Sequence, residues 1–192
     1  MIYIDEHPHE LDLAAALEAV GTQRREYAMR YRRDEDRRLC LAAHLLLQRA
    51  LHDEYGIDWV PDFTYGPNGK PALDGVPDVH FSISHCREAV VCAVANAAVG
   101  VDVESTSGYH PDLLARTMND GEQREILSSP RSDIAFIRLW TMKESLLKLT
   151  GEGMRNDLKS VLDGAPNQYH FTSWVGKNYV VTLCERLPEN VK

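Results

Sequence analysis

Val99–Ser105 reads VGVDVES, follows the apolar run Ala89–Ala98, and carries two carboxylates into what is otherwise a buried-strand pattern. Side chains two apart share a face of a strand. Val99, Val101 and Val103 therefore point one way, and Gly100, Asp102 and Glu104 the other. Carboxylates at that spacing repel, and in partly dry surroundings one takes up a proton unless a cation lies between them. A divalent metal is the simplest such cation. The competing reading is a strand that ends here, with both acids in water beside Ser105–Gly108.

Outward from this stretch, helices and strands alternate in blocks. Met1–Ile4 is a short strand candidate, and a helical region follows from about Asp12. Asp34–Tyr55 has a helical period, with Leu39, Ala43, Leu46, Leu47, Ala50 and Leu51 on one side. Residues 56–78 are dense in Gly, Pro, Asn and Asp and read as a long surface loop, a kind of segment that often binds something. Residues 79–104 predict two or three adjacent strands. Helical pattern returns over 111–129 and 133–150, where Gly151 is a stop signal. Residues 167–185 predict a closing hairpin that turns near Gly176. Both halves run helices and then strands, which predicts an α+β fold of two similar halves, 1–103 and 104–192.

The 192 residues suffice for a full core without staples, and 44% hydrophobic with 26% charged residues is an ordinary globular balance. The formal net charge of -8 argues against a general nucleic-acid surface, so any anion site is local. Cys40, Cys86, Cys92 and Cys184 show no metal or disulfide-framework spacing, and the acidic start is unlike a leader peptide. These features predict a cytoplasmic protein, and no run approaches the ~20 apolar residues of a membrane helix.

Gly69-Lys70 tempts as a phosphate loop, but Thr64 and Pro71 stand where that motif requires Gly and Ser or Thr. Ser84 and His85 are adjacent on a strand and point to opposite faces, which excludes a nucleophile–base couple between them. His85 remains a phosphate donor or a satisfied core histidine. Trp140, Glu144 and Lys148 recur every four residues and so share one helix face. A plain surface ion pair is the alternative for that Glu and Lys.

The order GKPAL (69–73), FSISHC (81–86), VGVDVE (99–104) and WTMKESLLKLTGEG (140–153) resembles the 4′-phosphopantetheinyl transferases, specifically the longer, monomeric Sfp-type enzymes. The likeness is specific from about Tyr65 to Gly153 and weak before it. It implies two similar α+β halves in pseudo-twofold arrangement. It also implies transfer of the phosphopantetheine arm of coenzyme A to a serine of an acyl or peptidyl carrier protein, leaving adenosine 3′,5′-bisphosphate. By the same resemblance Asp102, Glu104 and Glu144 are ligands of Mg2+ (or Mn2+), and Glu144 is also a candidate base. Lys148 and His85 would hold phosphates of coenzyme A, and Lys70 with Ser84 would lie near its adenosine. Where the family often has Asn-x-Ser-His-Ser, this chain has Ser82-Ile83-Ser84-His85-Cys86. For the 3′-phosphate, Arg24, Arg25 and Arg38 are the candidates, against a solvated helix face.

Leu113, Leu114 and Met118, with Arg116 among them, are expected to form a carrier-docking patch beside the metal, against the alternative that they pack into the core. The competing functions are a non-catalytic module binding coenzyme A or carrier protein, and a Mg2+-dependent phosphohydrolase.

Overall fold

Two three-stranded sheets with one shared strand order frame the chain. The computed structural model describes residues 1–58, 62–153 and 157–188. In the first half, β1 (Ile2–Asp5) is followed by α1 (Leu13–Ala19), α2 (Thr22–Ala28) and α3 (Asp34–Tyr55). A small hairpin, β2 (Phe63–Tyr65) and β3 (Pro71–Leu73), then leads to β4 (His80–His85) and β5 (Val90–Ala95). The second half runs β6 (Val99–Ser105), α4 (Pro111–Thr117), α5 (Asp120–Ser128), α6 (Ser132–Thr150), β7 (Tyr169–Val175) and β8 (Tyr179–Arg186). The sheets are ordered β1-β5-β4 and β6-β8-β7, with every pair antiparallel. In each, the first strand of the half pairs with the last, and the last with the middle one. The division expected between 103 and 104 passes through β6, all of which pairs with β8.

Strand faces sort the cores. β5 turns Val90, Cys92 and Val94 to α3, and Val91 and Ala93 to the other half. Cover on both faces accounts for its unbroken apolar sequence. Val99, Val101 and Val103 of β6 join Val91, Ala93, Tyr179 and Val181 in a core shared by the halves. That leaves Gly100, Asp102 and Glu104 on the α6 side, as the alternation requires. A Cβ on Gly100 would stand 1.9 Å from the Ser145 carbonyl oxygen and 2.7 Å from the Leu149 nitrogen, both backbone atoms of α6. Only a bare backbone admits this approach, and it brings Glu144 and Lys148 to the strand.

Two expectations need correction. The long loop over 56–78 contains the β2–β3 hairpin, which forms because Phe63 and Leu73 pair across it and bury in the first core; residues 59–61 lie outside the described residues. The helical segment over 111–129 is two helices, because Asn119 caps α5. Its side chain accepts from the Glu122 N–H at 2.9 Å while the Glu122 carboxylate accepts from the Asn119 N–H at 2.8 Å.

Among the described residues no helix is long and apolar enough to cross a membrane. The four cysteines are free thiols.

Candidate functional site

The halves meet where the edge strand β4 lies against the edge strand β6. β4 turns Phe81 and Ile83 toward the α3 core, so its alternate residues Ser82 and Ser84 face the second half. Ser82 Oγ accepts from the Val101 N–H at 3.0 Å, and Ser84 Oγ donates to Asp102 Oδ1 at 2.8 Å. Side chains, not a backbone ladder, close this joint.

A cavity of about 470 Å³ opens beside it, lined by Arg24, Tyr27, Tyr31, Cys40, Ala43, Ile83, Ser84, His85, Asp102, Glu104, Trp140, Glu144 and Lys148. A second, of about 270 Å³, shares Ile83, Glu144 and Lys148 with it and runs on past Asn68, Gly69 and Lys70 to Gly151 and Gly153. The two make one cleft between the halves.

Its acids come from β6 and α6. Asp102 is 3% exposed; its Oδ1 accepts from Ser84 and, at 2.7 Å, from the Lys148 ammonium, whereas its buried Oδ2 has no hydrogen-bond partner among the described residues. Desolvation first, and the Asp102 charge second, push the Glu104 carboxyl up to about 7, against the pull of Lys148. The same two causes raise Glu144. The cation that the fold sets against Asp102 is Lys148. Among the described residues no three His, Cys, Asp or Glu side chains stand close enough together to hold a metal ion.

The remaining candidates divide. His85 lines the cleft, its pKa lowered by desolvation and then by the Lys148 charge. Arg24 also lines it, with its guanidinium 5.0 Å from the Phe63 ring centroid and 5.2 Å from that of Tyr27. Arg25 and Arg38 are not among the residues lining this cavity. Arg25 donates to the Leu17 and Val20 carbonyls at the C-terminal end of α1, and Arg38 to the Leu11 carbonyl, so both tie backbone together. Lys70 lines the second cavity, yet its ammonium donates to the Leu149 carbonyl at 2.8 Å, closing the C-terminal turn of α6, and burial lowers its pKa.

The docking patch is overturned in part. Met118 is 0% and Leu114 8% exposed, and both pack with Ile126, Phe136, Ile137 and Val180. Their helical spacing serves the second core, and only Arg116 of the expected set is exposed.

Sequence reasoning also missed residues. Lys143 is buried against Glu122 Oε2 and the Leu158 carbonyl, both at 2.8 Å, on the side of α6 away from Glu144. The signal was present in Asn119-x-x-Glu122, whose capping box fixes where that carboxylate lies. Trp140 was seen as part of the helix face, but Tyr27, Tyr31 and Cys40 carried no motif.

Comparison with known proteins agrees with the two-part fold. A profile described as 4′-phosphopantetheinyl transferase superfamily matches residues 98–185, and one described as 4′-phosphopantetheinyl transferase, N-terminal, matches 6–97. The chain is 32% identical to 4′-phosphopantetheinyl transferase psf-1 of Bacillus pumilus, over 89% of its own length and 70% of that protein's. It is 28% identical to 4′-phosphopantetheinyl transferase Sfp of Bacillus subtilis (strain 168), over 83% and 72% of the two lengths. The gsp enzyme of Aneurinibacillus migulanus is 29% identical over 85% of this chain and 65% of its own. With both halves matched, and with the D-x-E strand and the W-x-x-K-E helix brought to one cleft, the chain belongs to the 4′-phosphopantetheinyl transferase superfamily as an enzyme of the Sfp type.

Proposed function

We propose that this chain transfers the 4′-phosphopantetheine arm of coenzyme A to a serine of an apo acyl or peptidyl carrier protein, and that Mg2+ would be held by Asp102, with Glu104 and Glu144 of the same cavity drawing in to complete the set. The observation that carries the metal reading is Asp102 Oδ2, a buried carboxylate oxygen without a partner among the described residues, in a cleft lined by two further acids. Hard oxygen donors of this kind suit Mg2+, which takes a few carboxylates and completes its shell with phosphate oxygens and water. Bound there, the ion would neutralise pyrophosphate charge.

The reaction needs positioning and charge neutralisation more than covalent help. The serine oxygen of the carrier forms a bond to the phosphorus nearer the pantetheine, the bond from that phosphorus to the bridging oxygen breaks, and adenosine 3′,5′-bisphosphate leaves with the electron pair. Glu144, which lines the same cavity, is the group assigned to accept the serine proton. Lys148 and His85 hold phosphates, and Arg24 is the first-half arginine placed to join them. The free thiols support a cytoplasmic setting, and one chain supplies the whole cleft, in line with a monomer. We read the division between the halves as lying just ahead of β6, from the shared strand order of the two sheets.

Incubation with coenzyme A, Mg2+ and a panel of apo carrier proteins, read by intact-protein mass, tests this. A mass gain of one phosphopantetheine group on a carrier, lost with a chelator, is expected. Consumption of coenzyme A without carrier would instead identify a hydrolase, and binding without turnover a non-catalytic module.

A further inference from the structure

Glu144 and Lys148 stand one turn apart on the same face of α6, and both line the cavity that also holds Asp102 and Glu104. The Lys148 ammonium donates to Asp102 Oδ1 at 2.7 Å. The Asp102 side chain is 4% exposed and that of Lys148 32%, so a fixed, buried acid is met by a lysine that reaches in from the rim. The charge of Lys148 acts on Glu104 and Glu144 as well. One side-chain cation thus serves all three acids of the cleft.

A divalent cation on Asp102 and this ammonium are like charges competing for one carboxylate. Close cations repel, so a cation that binds by itself either draws Lys148 off Asp102 or bears its charge at short range. The lysine is able to leave, because its stem is flexible and its head carries three rotatable donors. Its difficulty is where to go. Among the described residues the other anions of the cavity are Glu104 and Glu144, which the cation would itself engage. A pyrophosphate removes the difficulty: its oxygens accept from an ammonium and ligate a divalent cation at the same time.

We propose that Lys148 exchanges partners: it yields Asp102 to the divalent cation as it takes hold of the substrate pyrophosphate, so that the site receives cation and pyrophosphate together and each tightens the other. The proposal rests on the reading of Asp102 as a metal ligand, and adds that the coupling passes through this lysine. Coupling between two ligands is reciprocal, so it is measurable from the cation side alone. A cation that touches phosphate oxygens is coupled to them in any variant. The exchange adds a part that vanishes when Lys148 is removed.

The test is a Mn2+ titration followed by electron paramagnetic resonance, without carrier protein, in the absence of coenzyme A and at saturating coenzyme A, with a protein-free blank for Mn2+ held by coenzyme A in solution. Without coenzyme A, Lys148→Met is expected to bind Mn2+ roughly 10-fold more tightly than the parent protein, within the usual range of coupling between sites. With coenzyme A bound, that gain should disappear, because the parent's lysine has then already left Asp102. An equal gain under both conditions would reveal a lysine that stays in place and merely repels the cation. No gain under either would show that the ion pair does not oppose the cation. Either result overturns the proposal. Asp102→Asn separates its failure from that of the metal reading: if this variant binds Mn2+ as the parent does under both conditions, the metal assignment itself has failed. Lys148→Gln, which removes the charge and keeps a polar end, is titrated in parallel, and the same outcomes decide should Lys148→Met not fold.

Discussion

The two halves repeat one topology but load it differently. Each lays a long helix over a three-stranded sheet, α3 in the first and α6 in the second. The sheet-facing side of α3 is apolar, and the polar ring buried with that helix is His44, whose two ring nitrogens have no partner among the described residues. α6 buries Thr141, Lys143 and Ser145 and turns Glu144 and Lys148 into the cleft. The strand opening the first half is IYID, and the one opening the second is VGVDVES. The same scaffold thus serves as a wall in one half and as an acid-bearing face in the other. Polar atoms in the second half are kept because other polar atoms meet them: Thr141 meets Thr182 at 2.7 Å, and Lys143 meets Glu122.

Lys143→Ala should break this contrast most severely. Removing one partner strands the Glu122 carboxylate, and loss of one member of a buried pair destabilises by about 3–5 kcal/mol. Denaturant unfolding checks it, and Lys143→Met with Glu122→Leu should recover much of the loss.

Gly100→Ala comes next. The added carbon meets the backbone of α6 from both Ser145 and Leu149, with no flexible side-chain end to give way, so about 3 kcal/mol is expected, at the upper end for overpacking. Because the helix must move off β6, transfer should fall together with stability; full activity in a stable Gly100→Ala protein would show that close approach of α6 is not what places Glu144 and Lys148.

The first half has its own weak point in acid. Burial first, and the Arg24 charge second, lower His44 from 6.5 to about 4. The unfolded chain therefore binds this proton at a higher pH than the folded one. The associated stability is fully present above the unfolded pKa and is lost as pH falls from 6.5 through the window down to about 4, a loss of about 3 kcal/mol. Urea unfolding of His44→Leu across that window should show a flatter acid limb than the parent protein; an identical limb would remove His44 from the explanation.

Lys70→Ala should give the smallest effect and sharpen the contrast, since Lys70 is a first-half residue serving α6. Loss of its hydrogen bond to Leu149 predicts about 1 kcal/mol. A raised KM for coenzyme A without that loss would instead make it a substrate residue.

Much of this was legible along the chain. The 3.6-residue period set α3 at Asp34–Tyr55 and placed Trp140, Glu144 and Lys148 on one face, and all three line the cleft. Alternation on β6 separated the valines from Gly100, Asp102 and Glu104. Period and alternation are local properties, fixed by backbone geometry. Partner choice is not local. Lys143 and Lys148 are chemically alike on one helix, yet one is buried against Glu122 and the other lies on Asp102. Leu114 and Met118 had an amphipathic spacing that suits a docking face or a core equally, and the packing of α4 against Phe136 and Val180 decided for the core. Ser84 and Asp102 are 18 positions apart, and Lys148 and Asp102 are 46 apart. Which residue meets which across such separations depends on how the two sheets join, and that is set by packing of the shared core and by the bare backbone at Gly100. The sequence by itself determined the elements, their faces and the carboxylates offered to the site; the tertiary structure decided which cation, hydroxyl and carbonyl each polar group would meet, because only the folded chain brings those atoms within hydrogen-bonding distance.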